Sequence, residues 1–177
     1  FDSAVVYSLK IINSSTSRLH LEKAYKTLIS SYFGLKDFRR TIDNSKLYLS
    51  NFSDANEASK NEIRLLLAES NFSLANFKQA ISDYNSISAT NDYLVYKKTL
   101  AFYHQNDYQN TIAEASDFPA KYPKSEWLTD VNYLLAFANY KTNNLKFAAQ
   151  IFISIIDKIK NISNKKIAAK IIVEYFN

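Results

Sequence analysis

The sequence predicts an all-α fold, a solenoid of stacked antiparallel helix pairs. Three observations predict it. Apolar residues recur at helical spacing along the whole chain, only one Gly and two Pro interrupt its 177 residues, and one short phrase returns five times. All-β and α/β folds use many more Gly and Pro in turns and bulges. Residues 145–159 show the spacing plainly: Leu145, Ala148, Ala149, Phe152, Ile155, Ile156 and Ile159 fall on one helical face. Alternation with a period of two is hard to find.

Short polar turn signals divide the chain into ten expected helices: 1–13, 17–34, 37–51, 55–74, 77–88, 92–105, 108–121, 125–142, 145–160 and 164–177. In "DANE", Asp54 is placed as an N-cap with Glu57 three residues on. Ser125, after Pro123, is placed to cap the helix that carries Trp127. Turns this short force paired helices to run antiparallel.

The phrase is "FDSAV" at 1, "KDFRRTI" at 36, "NFKQAI" at 76, "NDYQNTI" at 106 and a looser "NNLKFAA" at 143. A helix ends, the chain turns, and an aromatic (Phe38, Phe77, Tyr108) plugs the gap as the second helix starts. The small residue three positions later (Ala4, Thr41, Ala80, Thr111, Ala148) lets the two helices approach closely. Ile42, Ile81 and Ile112 then face the neighbouring unit. On the first helix Ala68, Thr99 and Ala136 are the small positions, and Tyr32, Phe72, Phe102 and Tyr140 fill between units. One unit cannot bury its own apolar face, so units must stack. A period of about 34 residues gives full units at 22–53, 61–94, 92–124 and 129–161, with partial units at 1–16 and 164–177. The whole of 1–177 reads as one repeat domain.

With those residues in place the chain resembles the tetratricopeptide repeat family. Its best-matching unit, 61–94, supplies Leu67, Ala68, Phe72, Phe77, Ala80 and Tyr84; 129–161 supplies Leu135, Ala136, Tyr140, Ala148 and Phe152; Pro123 stands at a unit end. The resemblance implies a right-handed superhelix. Departures are the turn Gly, replaced by Lys36, Ala75, Asn106 and Asn143, the bulky Ile29, and Thr41 and Thr111 in place of Ala. Of the turn replacements only Asn tolerates a left-handed conformation well. The stretch from Phe118 to Phe152, with "KYPKS" at 121, also looks like envelope lipoproteins that assist outer-membrane barrel assembly. That likeness implies a periplasmic or cell-envelope location over a cytoplasmic one.

Chemistry is hard to find. There is no Cys, which removes disulfides, thiolate nucleophiles and Cys-based zinc sites. One Gly excludes Gly-rich phosphate loops and the nucleophile elbow. His20 and His104 sit in no metal-binding pattern, and Glu62 and Glu69 read as helix-surface charges. The acceptor-like strings at Asn13, Asn51, Asn71 and Asn161 are expected by chance in an Asn- and Ser-rich chain. No catalytic residue, metal, cofactor or small-molecule substrate is therefore expected. The formal charge of +5 is scattered, which argues against a nucleic-acid stripe. The longest apolar runs, such as "IFISII" at 151, are too short to span a bilayer. The chain starts at Phe and lacks Met; the expectation is an excerpt of a longer protein, which leaves room for an anchor elsewhere.

The resemblance implies a concave groove, lined by the first helix of each unit, that binds a peptide or partner protein. Projected onto this sequence, the groove residues are Lys26, Phe33, Glu69, Phe72, Tyr93, Tyr96, Tyr103, Tyr133, Phe137 and Tyr140. Tyr is a good anchor because its ring buries area while its hydroxyl stays wet. The competing reading is that several of these rings pack between units. A two-carboxylate clamp for C-terminal tails, known in one subfamily, finds only Lys26 and Lys97 in place, so the resemblance does not extend to it. The expected function is a non-catalytic interaction scaffold. The alternative is a solenoid accessory to a catalytic domain outside this stretch, or a binder of nucleic acid or polysaccharide.

Overall fold

The computed structural model describes all 177 residues, and it is helical throughout with no strand. The helices are α1 (Asp2–Ser14), α2 (Arg18–Gly34), α3 (Phe38–Asn51), α4 (Glu57–Ser73), α5 (Phe77–Asn85), α6 (Asp92–His104), α7 (Tyr108–Ala115), α8 (Phe118–Lys121), α9 (Leu128–Lys141), α10 (Leu145–Ile155) and α11 (Ile162–Phe176). They gather into two compact units, Phe1–Ala89 and Thr90–Asn177. In the first unit each helix packs on the next, and α2 also packs on α4. In the second, α6 packs on α7 and α9, α7 and α8 pack on α9, and α9–α10–α11 pack in sequence. Consecutive helix pairs of this kind fit an α-solenoid.

Four details differ from expectation. The helix expected over 108–121 breaks after Ala115 and resumes as α8, with Pro119 in its first turn. Proline has no N–H, and its ring meets the carbonyl four residues back, here that of Ala115. The helix expected over 77–88 stops at Asn85, and Ser86 Oγ donates to the Asp83 carbonyl at 2.6 Å. The helix expected over 145–160 ends at Ile155 and tightens into a 3-10 turn over Ile156–Lys158. Asn56, not Asp54, caps α4 by accepting from Ser59 N, while Asp54 pairs with Arg18; Ser125 Oγ accepts from Trp127 N one turn ahead of α9.

The turns inside the four full units share one geometry. Lys36, Ala75, Asn106 and Asn143 have φ of 59°, 60°, 57° and 64°, and they are the four positive-φ residues of the chain. Each is flanked by the same pair of backbone bonds. Asp37, Asn76, Asp107 and Asn144 N–H groups donate five residues back, to Tyr32, Asn71, Phe102 and Asn139, at 2.8–3.0 Å. The positive-φ residues themselves donate three residues back. This is the Schellman closure, which satisfies carbonyls left open at a helix C-terminus. All four turns therefore hold the left-handed conformation without a glycine.

The two units are built on one plan. Residues of units 22–53 and 92–124 match about 70 positions apart: Asp37 with Asp107, Thr41 with Thr111, Tyr48 with Phe118, Phe52 with Tyr122. Units 61–94 and 129–161 match about 68 apart: Asn71 with Asn139, Asn76 with Asn144, Ala80 with Ala148, Tyr84 with Phe152. The structure repeats the match. Asp37 and Asp107 accept from the N–H groups of Arg40 and Asn110, whereas Asn76 and Asn144 donate side-chain amides to Asn71 and Asn139. Tyr48 and Phe118 are fully buried and meet Phe52 and Tyr122 with ring centroids 5.1 Å apart in both cases. In the other two units the fully buried ring stands three residues earlier in the second helix, at Tyr84 and Phe152.

Candidate functional site

Four of the expected groove residues lie in the first unit. Lys26 Nζ lies 2.8 Å from Glu62 Oε2 and 3.3 Å from Ser59 Oγ, so it ties α2 to α4. Glu69 accepts a hydrogen bond from the Tyr84 hydroxyl. Phe33 and Phe72 meet Phe38 and Phe77 edge-to-face at 5.8 and 5.3 Å, each bracing its own turn. These four side chains are spoken for by interactions that hold helices together.

The six residues of the second unit behave differently. Tyr96, Tyr103 and Tyr133 line one cleft of about 250 Å³ between α6 and α9, with Leu100, His104, Asp130, Leu134 and Asn164 completing its wall. Phe137 stands behind it, 5.4 Å from Tyr103 and 6.3 Å from Tyr133, and Tyr140 continues the row at 6.4 Å from Phe137. Lys141 covers the outer faces of Phe137 and Tyr140. Tyr93 and Tyr96 both meet Trp127; the Tyr96 ring stacks on it at 4.6 Å and 5°. Tyr133 is only 7% exposed, so it forms the floor of the cleft and not its rim. A second cleft of about 230 Å³ shares Asp130, Tyr133 and Asn164 and is bordered by Glu126, Lys158 and Lys160.

The local chemistry follows from partial burial. Burial, then Tyr103, pushes the Tyr133 hydroxyl up to about 12, so it remains a hydrogen-bond donor across the physiological range. Burial also raises Tyr103, with Tyr108 contributing. His104 is held below its ordinary value by burial and by Lys97. Asp130 is open at the cleft mouth, yet desolvation by the surrounding protein raises its carboxyl, opposed by the Lys160 charge. Tyr140 is raised by its hydrogen bond to Glu174 Oε2 at 3.1 Å. No group of three or more His, Asp or Glu is placed to hold a metal ion. No helix is long and apolar enough to cross a membrane.

No family model matches the chain, and no curated protein matches it.

Trp127, stacked on Tyr96 beside the cleft, is not among the expected groove residues. The signal was available: Trp127 is the single Trp, four residues past Pro123 at a helix start. Asn71, one of the acceptor-like positions, is buried in α4, and its amide donates to Asp83 Oδ2 at 2.7 Å.

Proposed function

We propose that this chain is a tetratricopeptide-like interaction scaffold, with its helix pairs wound into a right-handed superhelix and a peptide or partner protein held on the face of the first helices. The observation that carries this reading is the α6–α9 cleft. It is lined by Tyr96, Tyr103 and Tyr133, and all three rings sit on helices that are first in their units. Clusters of Tyr are enriched at binding hot spots. The absence of recognisable catalytic residues in the sequence favours binding over turnover, and the "KYPKS" junction favours a partner in the cell envelope.

The test is affinity capture from native lysate, with soluble and envelope fractions kept apart. The control is a Tyr96→Ala/Tyr103→Ala variant whose helicity is checked by circular dichroism. A discrete partner held by the natural chain and lost by the variant supports the scaffold. Equal capture by both would place binding away from this cleft and sink the reading.

A further inference from the structure

The shared plan of the two units shows what is missing from the α6–α9 cleft. The turn residues set the register: Asp37 with Asp107 aligns α2 on α6, and Asn76 with Asn144 aligns α4 on α9. Lys26 then corresponds to Tyr96, Ser59 to Trp127 and Glu62 to Asp130. In the first unit the three residues form one contact, with the Lys26 ammonium on Ser59 and Glu62. In the second unit Tyr96 stands where that cation was. Tyr96 turns its ring flat onto Trp127, a cleft of about 250 Å³ stands beside it, and Asp130 lines that cleft, feeling the Lys160 charge only from the neighbouring cleft. An acid facing a cleft of Tyr rings suits one kind of guest. A cation gains both the carboxylate and the negative ring faces, and the apolar walls accept an aliphatic stem.

We propose that the α6–α9 cleft receives a lysine or arginine side chain from the partner peptide, seated against Asp130 and the Tyr103 and Tyr133 rings in the place that Lys26 occupies on Glu62 in the first unit. This rests on the scaffold reading and specifies what the groove recognises. The neighbouring cations Lys158 and Lys160 border the other cleft, so they bias selection against runs of basic residues and towards a single basic residue in a neutral or acidic peptide.

The experiment is selection of a random decapeptide display library on the 177-residue chain. Fluorescence anisotropy on enriched peptides follows, against the natural chain, Asp130→Asn and Tyr96→Lys, with folding checked by circular dichroism. Enriched peptides should share one basic residue. Replacing it with norleucine should weaken binding to the natural chain about tenfold or more, the effect of one charge-assisted hydrogen bond, and should change little on Asp130→Asn. Tyr96→Lys should occupy the site from within, as Lys26 does, and block the same peptides. Enriched peptides without a shared basic residue, or equal binding by the natural chain and Asp130→Asn, would overturn the cation inference and leave the scaffold standing. Failure to enrich any peptide would overturn both.

Discussion

Asn76 closes on Asn71 twice: its backbone N–H donates to the Asn71 carbonyl at 2.8 Å, and its side-chain amide donates to Asn71 Oδ1 at 3.3 Å. The residue between them in the turn, Ala75, is held at φ 60°. A Cβ in that region costs roughly 1–2 kcal/mol, which glycine does not bear. Ala75→Gly should therefore stabilise the chain by about 1 kcal/mol, less the extra entropy glycine has when unfolded. Asn106→Gly should give less, because Asn already tolerates the conformation. Urea midpoints of the two variants check the order; a destabilised Ala75→Gly would contradict the strain argument.

Thr99 is fully buried in α6, and its hydroxyl has no hydrogen-bond partner. A buried hydroxyl left unpaired carries a desolvation cost with nothing to offset it. Thr99→Val keeps the shape and removes the hydroxyl. It should raise stability by about 1 kcal/mol, read from chemical denaturation. Loss of stability would mean that the Thr99 hydroxyl has a partner in solution.

The helices and the turn positions were legible in the sequence because both rest on local rules. Periodicity places the apolar face of α10, and the slot of a missing turn Gly marks Lys36, Ala75, Asn106 and Asn143, all four of which have positive φ. The duplication of a two-unit plan was also written there, in Asp37 with Asp107 and Asn76 with Asn144, but a search tuned to one unit passes over a period twice as long. The break after α7 was missed by a reading that ran one helix over 108–121, although Pro119 and its clash with the Ala115 carbonyl account for it. The cleft was less legible. Tyr133 and Phe33 have the same groove-facing spacing in sequence, yet one is the floor of a cleft and the other braces a turn. That difference depends on what stands opposite, Tyr96, Tyr103 and Asn164 across the cleft in one case and Phe38 in the other, which spacing along a single helix does not encode.

Glu57 gathers three donors: Lys60 Nζ at 2.7 Å, Arg64 Nη1 at 2.9 Å and Ser88 Oγ at 3.1 Å. Its hydrogen bond to Lys60 leads in lowering its pKa from 4.5 to about 2, followed by that to Arg64. A depressed carboxylate contributes stability that is complete above its unfolded value and is lost as pH falls through its folded value. The melting temperature of Glu57→Gln should therefore lie below that of the natural chain at neutral pH, and the gap should close between about pH 4.5 and 2. A gap independent of pH would mean that the variant acts through packing and not through the charge. Because Glu57 lies at the surface, 0.5 M salt should narrow the gap as well.

Phe118 is 1% exposed, although it stands in a four-residue helix between a proline and a break. It packs with Val95, Ala115, Val131 and Leu135, and partly with Trp127 and Leu128. The ring therefore joins α6, α7 and α9 from a segment with almost no helical stability of its own, since a single turn is too short to hold itself. Phe118→Ala should cost about 3–5 kcal/mol and Phe118→Leu distinctly less, the spread reflecting how far the site can collapse. Trp127 packs on the same cluster and is the single Trp, so its fluorescence reports this unit directly during urea denaturation. The Phe118→Ala midpoint should fall sharply by that signal. If the Trp127 transition were unmoved, the ring would not be what fastens α8, and the positioning of Trp127 beside Tyr96 would have to come from α9 alone.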